Sequence, residues 1–268
     1  MAYRYWDEAR QAAKTLIGIH GFGGNRDNYI ALGEALKSDT AVYAIDLHGN
    51  GQSGQPGDTP DRALHFRDLE ALLTLVRSRH PGARHYLAGY SLGAAYAALW
   101  TARRPNVFSG LILFAAPFSN VLTPPPKMRA VFSVWARLMP TFRLGLRVPT
   151  EDGIDPRYVF AAQQSDFISK RTLRSLKVSM DVVPDSRKAL PHVTLPTLIL
   201  HGDADPVAQP AGARLAYDGL GAEDKTLHWI PGAQHDLYDV VSGFKSSAVT
   251  DEQRALVIRP VRDWLERH

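Results

Sequence analysis

Apolar residues fall in short unbroken runs that alternate with stretches of near-helical spacing, the pattern of buried parallel strands joined by helices. Thr15 to Ile19 and Ala41 to Ile45 read as buried strands, with a helical pattern around Tyr29 to Leu36 between them. The opening residues Met1 to Glu8 mix charges and aromatics and read as a short first strand. Thr59-Pro60-Asp61 looks like an N-cap followed by a proline at the first helical position, opening a helix whose Leu69, Leu72, Leu73 and Val76 share one face. Pro81-Gly82 ends it. A strand at Arg84 to Ala88, a helix from Leu92 to Arg104 stopped by Pro105, and a strand from Leu111 to Ala115 follow. Strand patterns return at Leu195 to Leu200 and Thr226 to Ile230. The expected fold is α/β: a mostly parallel, doubly wound sheet with helices on both faces, which places its sites at the C-terminal edges of strands.

The alternation lapses between Phe118 and about Pro191, where helical and loop patterns show no convincing strand. Thr123-Pro124-Pro125-Pro126 makes a stiff exit from the sheet, and Met128, Val131, Phe132, Trp135, Leu138 and Phe142 then recur at near-helical spacing. This divides the chain into a core of residues 1–117 and 191–268 and an inserted region of residues 118–190.

At 268 residues and 45% hydrophobic, the chain can form one large core, and no apolar run approaches the ~20 residues that span a bilayer. Its start lacks the basic end and apolar run of a secretory leader. Cysteine is absent, which excludes disulfides, thiolate catalysis and cysteine metal sites and favours a cytoplasmic location. The net charge of +4 hides an asymmetry: from Ala71 to Thr150 there is no Asp or Glu, against Arg77, Arg79, Arg84, Arg103, Arg104, Lys127, Arg129, Arg137, Arg143 and Arg147. These side chains either make a cationic surface that attracts anionic partners or are solvated separately on several helices. No module or aromatic-interleaved basic strip for nucleic acid accompanies them, and the ten histidines show no metal-ligand spacing.

Chemistry concentrates at Gly89-Tyr90-Ser91-Leu92-Gly93, between a strand and an alanine-rich helix. That arrangement fits a nucleophile elbow, whose strained serine needs glycine two residues to either side. A serine hydroxyl needs a base, and the base an orienting acid. The strand ending at Leu200 delivers Asp203-Ala204-Asp205-Pro206 to the sheet edge, and the strand ending at Ile230 delivers His235 on the next loop. Asp203 and Asp205 both qualify as the acid, the other being free to cap a helix or tie the turn. His228 lies inside a strand pattern, so His235 is the better base. His20 reads as a turn-stabilising residue bonded to nearby backbone, and Asp46 as the anchor of a tight loop.

With these residues in view, the chain resembles the α/β-hydrolase superfamily, on the branch of monoacylglycerol lipases, lysophospholipases and related serine esterases. The resemblance is carried by His20-Gly21-Phe22-Gly23-Gly24, Asp46 to Ser53, the elbow, His201 to Asp205, and Gly232 to Leu237. It implies Ser91 as nucleophile, Asp205 as acid and His235 as base, with the N–H groups of Phe22 and Leu92 as the oxyanion hole, and no cofactor or metal. It also implies that residues 118–190 form a helical cap, with Met128, Phe132 and Trp135 lining an acyl-chain pocket and the same face meeting lipid surfaces; alternatively the stripe only packs on the main domain. The expected substrate is a monoacylglycerol or lysophospholipid-type ester. Short-ester carboxylesterase, carbon–carbon bond hydrolase and slow-turnover ligand receptor are the alternatives on this fold.

Overall fold

A computed structural model describes residues 1–9, 12–119, 124–145, 168, 170–243 and 245–268. Thr123, Arg147 and much of the inserted region expected from the sequence lie outside them. Seven strands form one sheet: β1 (Ala2–Trp6), β2 (Lys14–Ile19), β3 (Ala41–Asp46), β4 (Arg84–Tyr90), β5 (Gly110–Phe114), β8 (Thr197–Gly202) and β9 (Lys225–Ile230). Their order is β1-β3-β2-β4-β5-β8-β9, with only β1 antiparallel to its neighbour. Among the described residues the α-helices are α1 (Ile30–Leu36), α2 (Arg62–Arg79), α3 (Leu92–Arg103), α4 (Pro126–Leu138), α5 (Leu173–Ala189), α6 (Pro210–Gly219) and α7 (Asp251–Arg267). Among the described residues no helix is long and apolar enough to cross a membrane.

The continuous apolar strands follow from burial on both faces. Ile17, Tyr43, Leu87 and Leu111 enter one core with α2 and α3, while Leu16, Val42, Tyr86 and Ile112 enter the other with α1 and α7. Alternate residues of one strand thus serve two cores. The chain order runs outward from β2 to β3 and then reverses through β4, so the reversal opens a crevice between the C-terminal ends of β2 and β4.

Two expectations change. The N-cap of α2 is Asp61, whose carboxylate accepts the Ala63 N–H at 3.0 Å, and not Thr59. Thr59 Oγ1 instead donates to the His48 carbonyl at 2.9 Å, and the better acceptor two residues on takes the cap. The inserted region also contains strands: β6 (Arg143–Gly145) pairs antiparallel with β7 (Lys170–Thr172). Three-residue strands far apart in sequence leave no alternation to detect.

Helices α4 and α5 pack on each other, but α4 buries only Ala136. Its apolar stripe faces outward, with Met128, Val131, Val134 and Trp135 more than half exposed and Leu138 at 72%. Several described arginines of the acid-free stretch have separate partners on different elements. Arg104 pairs with Glu70 and Arg129 with Asp181, Arg77 bonds the Val107 carbonyl, and Arg103 lies over the Phe66 ring.

Candidate active site

Strand β4 ends at Tyr90 and α3 begins at Leu92, leaving Ser91 alone to make the turn at φ 53° and ψ −121°. The backbones of strand and helix therefore nearly touch. A Cβ on Gly89 would lie 2.3 Å from the Gly93 carbonyl oxygen, and one on Gly93 would lie 2.2 Å from that of Ile19. Both distances forbid a side chain, which is the physical content of the motif.

Ser91 Oγ lies 3.0 Å from Nε2 of His235, whose Nδ1 lies 2.8 Å from Oδ2 of Asp205. All three are buried, Ser91 being 8% exposed. The other Asp205 oxygen accepts the N–H groups of Val207 and Ala208 at 2.8 and 2.9 Å. Burial pushes the Asp205 carboxyl up, but His235, His201 and the Ala208 amide together hold it below the usual carboxylate range. A carboxylate kept ionised there requires the proton on Nδ1 of His235 and leaves Nε2 free to accept from Ser91. The ring of Tyr90 lies 5.3 Å from that of His235. Asp203 instead accepts the Gly232 N–H at 2.7 Å and ties the loop on which His235 travels. The structure thus separates the two aspartates that the sequence left open.

The loop after β2 turns at Gly21 to Gly24, closed by the Gly24 N–H on the Gly21 carbonyl at 3.2 Å, with Phe22 and Gly23 at its tip. His20 holds its base: Nδ1 donates to the Gly21 carbonyl at 2.7 Å, and Nε2 accepts the Leu47 N–H at 3.1 Å. Burial lowers the His20 pKa to about 4, keeping the neutral tautomer that both bonds need. Asp46 accepts the N–H groups of Arg26 and Gln52 at 2.7 and 2.8 Å and joins this loop to the next. Leu92 opens α3, so its N–H has no acceptor within the helix.

Met128, Phe132 and Trp135 all lie on α4, with Phe132 partly buried and the other two mostly exposed. None lines the small cavity, about 10 Å³, that adjoins Phe22 and Leu92. A larger groove of about 630 Å³ runs between the start of α2, α4 and α5, and it contains none of Ser91, Asp205 or His235. Sequence reasoning missed Arg171, which lines the small cavity from β7 at 2% exposure, with its guanidinium 4.6 Å from the centre of the Phe22 ring.

The family described as serine aminopeptidase, S33 matches residues 10–239. Mouse monoglyceride lipase is 30% identical over 246 residues, covering 88% of this chain and 79% of that protein. The monoacylglycerol lipase of Mycolicibacterium smegmatis is 25% identical over the whole of this chain and 93% of its own. A solved structure of a soluble variant of Saccharomyces cerevisiae monoglyceride lipase, in complex with a substrate analog, superposes with a TM-score of 0.79 at 21% identity, over 99% of this chain and 91% of that one. The monoacylglycerol lipase of Paleococcus ferrophilus superposes at 0.78 and 20% identity, over 98% of both chains. Elbow, sheet order and these likenesses agree: the chain belongs to the serine aminopeptidase S33 family of α/β-hydrolases, on the branch of the monoglyceride lipases.

Proposed function

We propose that the protein hydrolyses carboxylic esters of monoacylglycerol type through an acyl-enzyme on Ser91. The observation that carries this reading is the hydrogen-bonded series from Ser91 Oγ through His235 to Asp205, at the edge where β4, β8 and β9 end. Ser91 Oγ attacks the ester carbonyl as its proton passes to Nε2 of His235, while Asp205 holds the imidazole and stabilises its charge. The N–H groups of Phe22 and Leu92 stabilise the oxyanion. Collapse breaks the acyl C–O bond, with His235 returning the proton to the departing alcohol. A water molecule then repeats the sequence and frees the acid.

Residues 1–117 and 191–268 form the catalytic core in this reading, and residues 118–190 cap it. The burial of Ser91 supports a cap that must shift for substrate to enter. Met128, Phe132 and Trp135 meet the acyl chain or the lipid surface that presents it. The exposed stripe on α4, flanked by Lys127 and Arg137, supports peripheral membrane contact through the cap. The cysteine-free chain suits the cytoplasm.

The test is turnover on p-nitrophenyl esters from acetyl to palmitoyl and on monoacylglycerol and lysophospholipid, with Ser91→Ala as the blank. Activity peaking at medium or long chains, with monoacylglycerol accepted and the blank slower by about 10⁴-fold or more, is the expected result. Retention of activity in Ser91→Ala would overturn the reading.

A further inference from the structure

Phe22 serves the proposed mechanism through its backbone N–H, which leaves its side chain without a role in the chemistry. That side chain meets Arg171 of the inserted region. Residue 168 and residues 170–174 fasten onto the two loops beside the site. The Ile168 N–H donates to the Gly23 carbonyl at 3.2 Å, directly beyond Phe22. The Thr172 N–H donates to the Gly57 carbonyl at 2.9 Å, and its hydroxyl to Asp58 at 2.8 Å; Arg174 closes on the same carboxylate, with Nε at 2.7 Å.

Between these fastenings Arg171 points inward. Its guanidinium faces the Phe22 ring, and Nη2 donates to Asn50 Oδ1 at 2.5 Å. Asn50 in turn donates to the Leu47 carbonyl at 3.2 Å, and Leu47 is the residue whose N–H grips His20. Among the described residues no carboxylate pairs with Arg171 and its Nε has no hydrogen-bond partner, so the aromatic face and one amide oxygen are what meet this buried cation. A cation removed from water binds an aromatic face more strongly than an exposed one, and a planar guanidinium stacks where an ammonium cannot.

We infer that Arg171 is a positioning residue for the oxyanion hole: it clamps the Phe22 side chain and so fixes the direction of the Phe22 N–H, tying catalytic competence to the seating of the cap. This rests on the reading of Ser91 and Phe22 under Proposed function. The turn at Gly21 to Gly24 is short and glycine-rich, so its tip has little of its own to hold it. A donor aimed wrongly by a fraction of an ångström stabilises the ester carbonyl about as before but the tetrahedral oxyanion far less. The clamp therefore acts on kcat.

The test compares Arg171→Met, Phe22→Leu and the double variant, with rates expressed per active site counted by a fluorophosphonate titrant. Both substitutions leave the N–H of residue 22 in the chain; Phe22→Leu removes the aromatic face, and Arg171→Met removes the cation from that face together with its bond to Asn50. Loss of a whole oxyanion donor costs about 10²- to 10³-fold in kcat, so a misdirected one is expected to cost about 30-fold, with KM within about twofold. A boronic acid that mimics the tetrahedral oxyanion should lose affinity in parallel. If Arg171 acts through Phe22, the double variant is no slower than the slower single variant. Arg171→Lys, which keeps charge without the planar face, should recover only part of the loss.

Multiplying losses in the double variant, or a normal kcat per titrated site with fewer sites and a lower melting temperature, would overturn the inference and leave the ester hydrolase reading intact. Should Arg171→Met not fold, Phe22→Leu interrogates the same contact from its other side, and an unchanged kcat there overturns the inference equally. Full activity in Ser91→Ala would overturn both.

Discussion

Acid should unfold this protein well above the pH at which carboxylates protonate, because three buried histidines are built to stay neutral. Burial lowers the pKa of His20 and His201 to about 4 and that of His65 to about 3, each from an ordinary 6.5. Above pH 6.5 the ring is neutral in folded and unfolded chains alike, and stability does not depend on it. As pH falls from 6.5 toward 4, the unfolded chain takes up the proton and the folded one does not, so stability is lost throughout that window and levels beneath it. At pH 5 an unfolded histidine has gained about 1.5 decades of protonation that the folded one lacks, or about 2 kcal/mol per group at about 1.4 kcal/mol per decade. Three groups amount to about 6 kcal/mol, comparable to the whole stability of many domains. Asp205, held below its ordinary value, adds a separate loss only at lower pH. Urea denaturation followed by tryptophan fluorescence at half-unit steps from pH 7 to 4.5 gives the uptake of protons on unfolding as a slope. These three groups bring the slope toward three protons near pH 5, and His85 and His228, also lowered by burial, add to it in the same direction. In His65→Gln, which keeps a donor for the His48 carbonyl, it should fall by one. A total change below about 2 kcal/mol between pH 7 and 5, or a slope unmoved by His65→Gln, would refute the argument.

The two aspartates after β8 should separate in a single assay. Asp205→Asn loses the carboxylate that fixes the His235 tautomer and should lower kcat by about 10⁴-fold, whereas Asp203→Asn, which can still accept the Gly232 N–H, should stay within about tenfold of wild type. Gly93→Ala puts a methyl group 2.2 Å from a backbone oxygen, so soluble yield should drop and any purified protein should be less stable by about 3 kcal/mol in urea. Trp135→Asp on the exposed face of α4 should weaken sedimentation with anionic vesicles and slow turnover of vesicle-borne monoacylglycerol while sparing p-nitrophenyl acetate; equal loss on both substrates would remove α4 from the lipid interface.

What the sequence made legible was whatever depends on near neighbours. The elbow could be read because Gly89, Ser91 and Gly93 meet one another within five residues, and the strands because β4 and β5 are apolar on both faces. The local pattern admits both Asp203 and Asp205, and it was the family resemblance that pointed to Asp205, whose Oδ2 lies 2.8 Å from His235 Nδ1 while Asp203 accepts the Gly232 N–H. The cap of α2 moved from Thr59 to Asp61 because the His48 carbonyl, eleven residues back, claimed the threonine hydroxyl. Periodicity gave the apolar stripe on α4, but which way it faces depends on α5, which packs on α4 and pairs Asp181 with Arg129. Arg171 had no signal at all. Its partners lie 121 and 149 positions away, and a lone arginine in a chain rich in them carries no pattern.

Strands β5 and β8, between which the whole inserted region is looped out, are direct neighbours in the sheet, joined up to the Ala115 N–H on the Leu200 carbonyl at 3.0 Å. The two ends of the insertion are therefore pinned side by side by hydrogen bonds that do not depend on what lies between them. Closing a loop whose ends are already held costs only about 0.6 kcal/mol more each time its length doubles. Chain entropy thus places almost no limit on the length of this segment, and descendants of this gene can lengthen or shorten the cover between its fixed contacts while Ser91, His235 and Asp205 stay where they are.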